Sequence, residues 1–154
     1  MHLNNFTIKS QEAVQRAQQL ALANENPGIE LGHLLQGVLE VDENVTPFVL
    51  KKLGVNVDVV NKAVASHVLS YPKQTGGGGQ LFLSRTANEA IQRANNYLKT
   101  FEDEYVALEH LLLGILAVQD SASQLLRDSG VTEKGLIAAI QELRKGQRVT
   151  TNSA

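Results

Sequence analysis

The feature that most constrains this chain is an internal duplication, and a repeated segment sets the architecture before any single residue does. Glu12-Ala13-Val14-Gln15-Arg16-Ala17 returns as Glu89-Ala90-Ile91-Gln92-Arg93-Ala94. His33-Leu34-Leu35-Gln36-Gly37-Val38-Leu39 returns as His110-Leu111-Leu112-Leu113-Gly114-Ile115-Leu116. Both pairs are displaced by 77 positions (89 minus 12, and 110 minus 33), with no gap between them. Leu53-Gly54-Val55 answers to Ser129-Gly130-Val131 at 76 (130 minus 54), one residue shorter. Two separate segments in one register mark a duplicated unit.

Each copy reads as four helices. Ala13, Val14, Ala17, Leu20 and Ala21 recur at i, i+3, i+4 spacing, matched by Ala90, Ile91, Ala94, Tyr97 and Leu98. Thr7 and Ser84 precede these stripes as N-caps. Asn26-Pro27-Gly28 breaks the chain. A second helix carries Leu31, Leu34, Leu35, Val38 and Leu39, matched by Leu108, Leu111, Leu112, Ile115 and Leu116. Short third helices around Phe48–Leu53 and Leu125–Leu126 end at Gly54 and Gly130. Fourth helices are predicted near Val57 to Leu69 and Glu133 to Arg144. The expected fold is therefore all-α, two pseudo-symmetric repeats of a four-helix unit, eight helices in all. Repeat one covers about 6–70 and repeat two about 82–144. Residues 71–81, with glycine from Gly76 to Gly79, read as a flexible connector. The polar stretch 145–154 reads as a linker.

Composition narrows the function classes. Of 154 residues, 43% are hydrophobic, enough for one packed core without staples. There is no cysteine, which removes disulfides and thiolate metal sites and suits a cytoplasmic location. A formal charge of -2 argues against a nucleic-acid partner, because phosphate binding needs a basic face. No apolar run approaches the roughly 20 residues that span a bilayer, so no membrane partner is expected. With 5% aromatic residues and no Trp, alanine and leucine fill the core, as suits close-packed helices.

Catalytic, cofactor and metal motifs are not found. The Gly76–Gly79 run lacks the Lys-Ser/Thr pair and the preceding strand of a phosphate loop. His33 and His110 hold equivalent repeat positions, which favours a packing or hydrogen-bonding role over metal ligation. Glu102-Asp103-Glu104 and Glu109 admit two readings. One is surface charge complementing a helix dipole, the other a polar recognition site. Tyr97 stands where the first copy has Leu20, and Phe101 and Tyr105 follow beside the acidic residues. An apolar strip rimmed by carboxylates suits a loose polypeptide ligand.

Ile29-Glu30-Leu31-Gly32-His33-Leu34-Leu35 and Ala107-Leu108-Glu109-His110-Leu111-Leu112-Leu113-Gly114, with the duplicated unit and Thr7, resemble the N-terminal domain of Clp chaperones. Gly146-Gln147-Arg148-Val149-Thr150 is similar to the linker that enters the first ATPase module of ClpB-type members. The resemblance implies a non-catalytic, substrate-binding N-domain of an ATP-dependent disaggregase in the stress response. Unfolded or aggregated polypeptides would be its partners. The parent would be a hexamer working with a DnaK-type chaperone, with ATP and magnesium in other modules, whereas this domain alone is expected to be monomeric and to hold no cofactor. Thr7, Asp103 and Glu109 match polar positions tied to substrate handling, and Ile91 and Tyr97 match positions lining a peptide groove. Arg93 and His110 replace leucines of some relatives there, so the groove is expected to be more polar, its apolar grip weaker or displaced toward Phe101 and Tyr105. The alternatives are an adaptor-docking N-domain of a ClpA/ClpC-type protease-associated unfoldase, a structural spacer, and a hydrolase using Asp103 and Glu109.

Overall fold

The computed structural model describes residues 3–74 and 80–153, so the predicted Gly76–Gly79 connector lies outside the described residues. Repeat one holds α1 (Ile8–Ala23), α2 (Leu31–Val41), α3 (Val45–Lys52) and α4 (Val57–Leu69). Repeat two holds α5 (Arg85–Asn96), α6 (Leu98–Phe101), α7 (Leu108–Ala117), α8 (Ser121–Asp128) and α9 (Glu133–Arg144). The predicted fourth helices match α4 and α9 at both ends. α5 and α6 are one helix interrupted at Tyr97, so each repeat keeps its four-helix plan.

The single stripe expected through Tyr97 and Leu98 is broken for a local reason. The Asn95 side-chain amide donates to the Ile91 carbonyl at 3.3 Å, and the Tyr97 N–H turns back to Ala94 O at 3.2 Å. Asn side chains compete with the backbone in this way and tighten or end helices.

The helix starts are set by side-chain oxygens that accept otherwise orphaned N–H groups. Thr7 accepts from Ser10 and Ser84 from Ala87, as the sequence predicts. Asn56 and Thr132, another repeat-related pair, do the same for α4 and α9. Gly54 and Gly130 follow α3 and α8 at φ values of 76° and 105°, a region that L side chains resist.

Within each repeat, the first helix packs on the second: α1 on α2, and α5 on α7. Alanines make the approach close. A side chain on Gly37 would overlap the Ala13 carbonyl oxygen, and one on Gly114 would overlap that of Ala90. The fourth helix of repeat one packs on α8, and α3 packs on α9, so the repeats interlock through their second halves. One continuous core results, with Phe6, Leu34, Leu35, Leu111, Leu112, Leu126 and Ile140 fully enclosed.

Two parallel pairings also join the repeats. β1 (Gly28–Ile29) pairs with β2 (Phe82–Leu83), Ile29 opposite Leu83, and Phe6 bridges Val106. Phe6 and Leu83 are repeat equivalents (83 minus 6 is 77), as are Ile29 and Val106 (106 minus 29). Each repeat's leading residues thus pair with the loop before the other's second helix. Two-residue strands carry no readable period, so helical patterning gave no sign of this exchange.

Candidate functional site

The acidic residues of repeat two converge on the end of α9. Glu102 takes left-handed dihedrals at φ 56°, closing α6 and turning Asp103 inward. Glu109 lies in the first turn of α7, where its charge complements the helix dipole. Arg144 lies in the last turn of α9, where a cation is favoured for the same reason. Its guanidinium grips Asp103 with both terminal nitrogens, at 2.9 and 2.8 Å, and donates from Nε to Glu109 Oε2 at 3.0 Å. The Arg144 side chain also lies over the Phe101 ring, 5.2 Å from its centroid. A guanidinium is the cation best shaped for such a fork.

His110 completes the cluster. Its Nδ1 accepts the Ala107 N–H at 2.7 Å, so the ring proton sits on Nε2 and is donated to Asp103 Oδ2 at 2.7 Å. Burial lowers the His110 pKa, outweighing the opposite pull of Glu109 and Asp103, and the ring is neutral. Burial also pushes the Asp103 carboxyl up, but the hydrogen bonds from Arg144 and from the Val149 N–H outweigh it and hold the group below the usual range. The Arg144 pKa is raised: burial alone would lower it, and its bonds to Asp103 and Glu109 prevail.

Repeat one builds the same corner without charge. His33 Nδ1 accepts the Glu30 N–H at 2.8 Å, and Nε2 meets Asn26 Oδ1 at 2.8 Å. Asn26 is the repeat counterpart of Asp103 (103 minus 26 is 77). Tyr71 packs at a tilt against His33, with centroids 5.0 Å apart, where Phe101 stands edge-on to His110 in repeat two. The two histidines are therefore helix-start anchors. Among the described residues no three His, Asp or Glu side chains gather as a metal site.

Beside the ionic cluster lies a cavity of about 530 Å³. Thr7, Glu109 and Arg144 line it, with Val41, Val45, Leu108, Leu143 and Val149 as apolar walls. Asp42 also lines it while accepting the N–H groups of Asn44, Val45 and Thr46 at the start of α3. The two repeats meet here through the Thr7 N–H, which donates to Val106 O at 3.0 Å.

Of the expected polar residues, Thr7 and Glu109 line this cavity, whereas Asp103 does not line it and is held by Arg144, and the Thr7 hydroxyl is engaged with Ser10. The apolar residues are not gathered into one strip. Ile91 is 6% exposed and Phe101 9%, both packed into the core. Tyr97 donates to Glu133 Oε2 at 2.6 Å and lines a separate cavity of about 460 Å³ with Arg93, Leu113 and Leu116. Burial, then Glu133, pushes its phenol up to about 12. Phe101 edges a third, of about 440 Å³, with Lys99, Gln141 and Arg148. Tyr105 is half-buried and lines none of these three. His110, expected along a groove, has no exposed surface at all, because its ring is consumed by the two hydrogen bonds above.

Arg144 and Val149 were not among the expected site residues. Arg144 lies 41 positions from Asp103, and no local pattern links them. The repeat offered one hint, since an aspartate replacing Asn26 at an inward position calls for a cation.

Residues 5–151 match the Clp repeat (R) N-terminal domain family. The chain belongs to this family. It is 49% identical over 154 residues to the chaperone protein ClpB of Bacteroides thetaiotaomicron and 42% identical to that of Porphyromonas gingivalis. Each alignment takes in all of this chain and 18% of the relative, so the chain spans under a fifth of their length. The N-terminal domain of Candida albicans Hsp104 superposes with a TM-score of 0.84 at 22% identity, covering 96% of this chain and 97% of that one. A ClpV N-domain solved with a VipB peptide gives 0.74 at 21% identity, covering 95% and 93%. Both share the fold. In this Clp N-domain the duplicated unit is the Clp repeat, and its second copy carries the charged corner. Among the described residues no helix is long and apolar enough to cross a membrane.

Proposed function

We propose that this Clp N-domain is a non-catalytic module that engages unfolded polypeptide at the cavity between its repeats. One observation carries the reading: Thr7 from repeat one and Glu109 from repeat two line a single cavity walled by both apolar and polar side chains. Its apolar walls suit exposed hydrophobic side chains, and its fixed polar rim suits main-chain amides. The identities to ClpB chaperones support it, and so does the like-folded ClpV N-domain solved with a peptide. Asp103 acts here by holding Arg144, and Ile91 and Phe101 act as core.

In the whole chaperone we place this domain before two ATPase modules that supply ATP and magnesium chemistry. We place that parent in a cytoplasmic hexamer acting with a DnaK-type partner. Affinity should be micromolar or weaker, about −8 kcal/mol at most, since release must precede threading. Titration of the 15N-labelled chain with β-casein, a permanently unfolded protein, tests the reading. Amide shifts at Val41–Val45 and Leu108–Glu109 are expected, and their absence at saturating β-casein would overturn it.

The peptide-bound ClpV neighbour also favours a second reading, docking of one defined peptide from an adaptor. A single partner captured at fixed stoichiometry, with β-casein ignored, would select it.

A further inference from the structure

The cavity wall formed by Gln147, Arg148, Val149 and Ser153 is not part of the helical body. After α9 the segment runs without regular secondary structure to Thr150 and then bends and turns over residues 151–153, held mainly through its own backbone. Val149 N–H donates to Asp103 Oδ1 at 2.8 Å, and Val149 C=O accepts the Glu104 N–H at 2.8 Å. Asn152 C=O accepts the Ile8 N–H at 2.8 Å. Ile8 is the first residue of α1, whose N–H has no partner within the helix. The Val149 side chain is buried against the same corner.

These anchors ask little of side-chain identity. They require one residue offering both N–H and C=O, and a C=O three residues further on. Any chain without proline at the first position that passes Asp103 and Glu104 and then turns toward Ile8 meets that demand, and its first two bonds are of the kind that strand-addition sites use.

We infer that residues 147–152 are an internal occupant of the polypeptide site, and that an incoming polypeptide takes their place on Asp103, Glu104 and Ile8. Binding of the ligand and release of the segment are then one event. The segment is no spacer: it reports occupancy of the site to whatever chain follows it. The inference rests on the polypeptide-binding reading above and adds to it the exchange and the three anchors. It also gives the charged corner a purpose that the neutral corner of repeat one does not need. Arg144 fixes the Asp103 carboxylate so that one oxygen faces an incoming N–H.

The test uses the full chain and β-casein. Val149→Pro deletes the N–H given to Asp103, and Val149→Asp places a second carboxylate beside it. Both free the segment without touching the three anchors. Where the segment competes, each variant binds β-casein more tightly, on the order of fivefold or more, because the competent fraction rises toward one. In the wild-type chain, β-casein then moves the Arg148 and Thr150 amides of the released segment toward their positions in the free variants. Equal affinity in wild type and both variants would overturn the exchange while leaving the polypeptide-binding reading intact. No binding to any of the three overturns both. Should Val149→Pro fail to fold, Val149→Asp decides alone.

Discussion

Arg144 holds Asp103 by two parallel bonds across 41 residues of sequence, and this pair joins the end of α9 to the loop before α7. Three charges meet there with little water: the Arg144 side chain is 10% exposed, Asp103 0% and Glu109 7%. Removing the cation strands two carboxylates. Arg144→Met should cost about 3–5 kcal/mol, the range seen when one partner of a buried pair is deleted. Arg144→Lys restores charge but not the fork, and should recover only part of it. Urea unfolding of the two variants checks this. A loss below 1 kcal/mol in Arg144→Met would show the carboxylates already hydrated.

The close approach of α1 to α2 and of α5 to α7 sets propensity against packing. Alanine is favoured over glycine inside a helix by about 1 kcal/mol. At Gly37 and Gly114, however, the new methyl would enter the carbonyl oxygens of Ala13 and Ala90, which are backbone atoms of the facing helices and cannot rotate away. Gly37→Ala and Gly114→Ala should each destabilise by about 1–3 kcal/mol. Gly114→Ala should be the worse, because its methyl also crowds Ala94 N and Cα. Chemical denaturation reads the sign, and stabilisation by either substitution would show that the helices can separate freely.

Much of this fold was legible because its elements are long and periodic. The 77-residue register gave the duplication, and the stripes Ala13–Ala21 and Leu108–Leu116 gave the buried faces. The caps Thr7 and Ser84 were readable from residue type and position alone. The site was less so, for physical reasons. Asp103 and Glu109 were visible as carboxylates, but whether they faced solvent or a cation depended on Arg144, which only the tertiary fold brings near. Ile91 and Tyr97 share a stripe in sequence, yet the interruption at Tyr97 sends one into the core and leaves the other on Glu133. Phe101 looked like part of a surface strip, and the structure spends it on Arg144 and His110.

Acid should weaken the domain through its helix-start histidines before its carboxylates matter. Burial pushes His33 down to about 4, against 6.5 in an unfolded chain. Between these values the unfolded chain binds the extra proton, so stability falls as pH drops from about 6.5 to about 4 and loses nothing more from this group below that. The window corresponds to about 3 kcal/mol. His110, also lowered by burial, adds in the same direction. Asp103, held below its ordinary range, contributes stability present above its unfolded value and lost as pH falls through its lower folded one, so a second acid limb follows. Urea midpoints measured from pH 7 to 3 should show this two-stage decline. His33→Gln should flatten the upper stage, and an unchanged slope there would show that His33 already titrates normally.

Two glutamates carry the same backbone strain. Glu25 and Glu102, repeat equivalents (102 minus 25 is 77), adopt φ values of 55° and 56° just beyond their helices. For an L-residue this region costs roughly 1–2 kcal/mol, and glycine escapes the penalty at some cost in unfolded-chain entropy. Both side chains are exposed, and Glu102 has only a loose 3.9 Å contact with Arg148 to lose. Glu25→Gly should therefore stabilise by about 0.5–1 kcal/mol, because the relief of strain exceeds the entropy it costs. Glu102→Gly should gain about the same, but with a second consequence. The turn at Glu102 aims Asp103 at Arg144 and Val149, so a relaxed turn there loosens the hold on residues 147–152. Thermal unfolding should place both variants above wild type, while the Val149 amide should shift only in Glu102→Gly. A shift of equal size in Glu25→Gly would mean that the segment responds to global stability and not to the geometry of this turn.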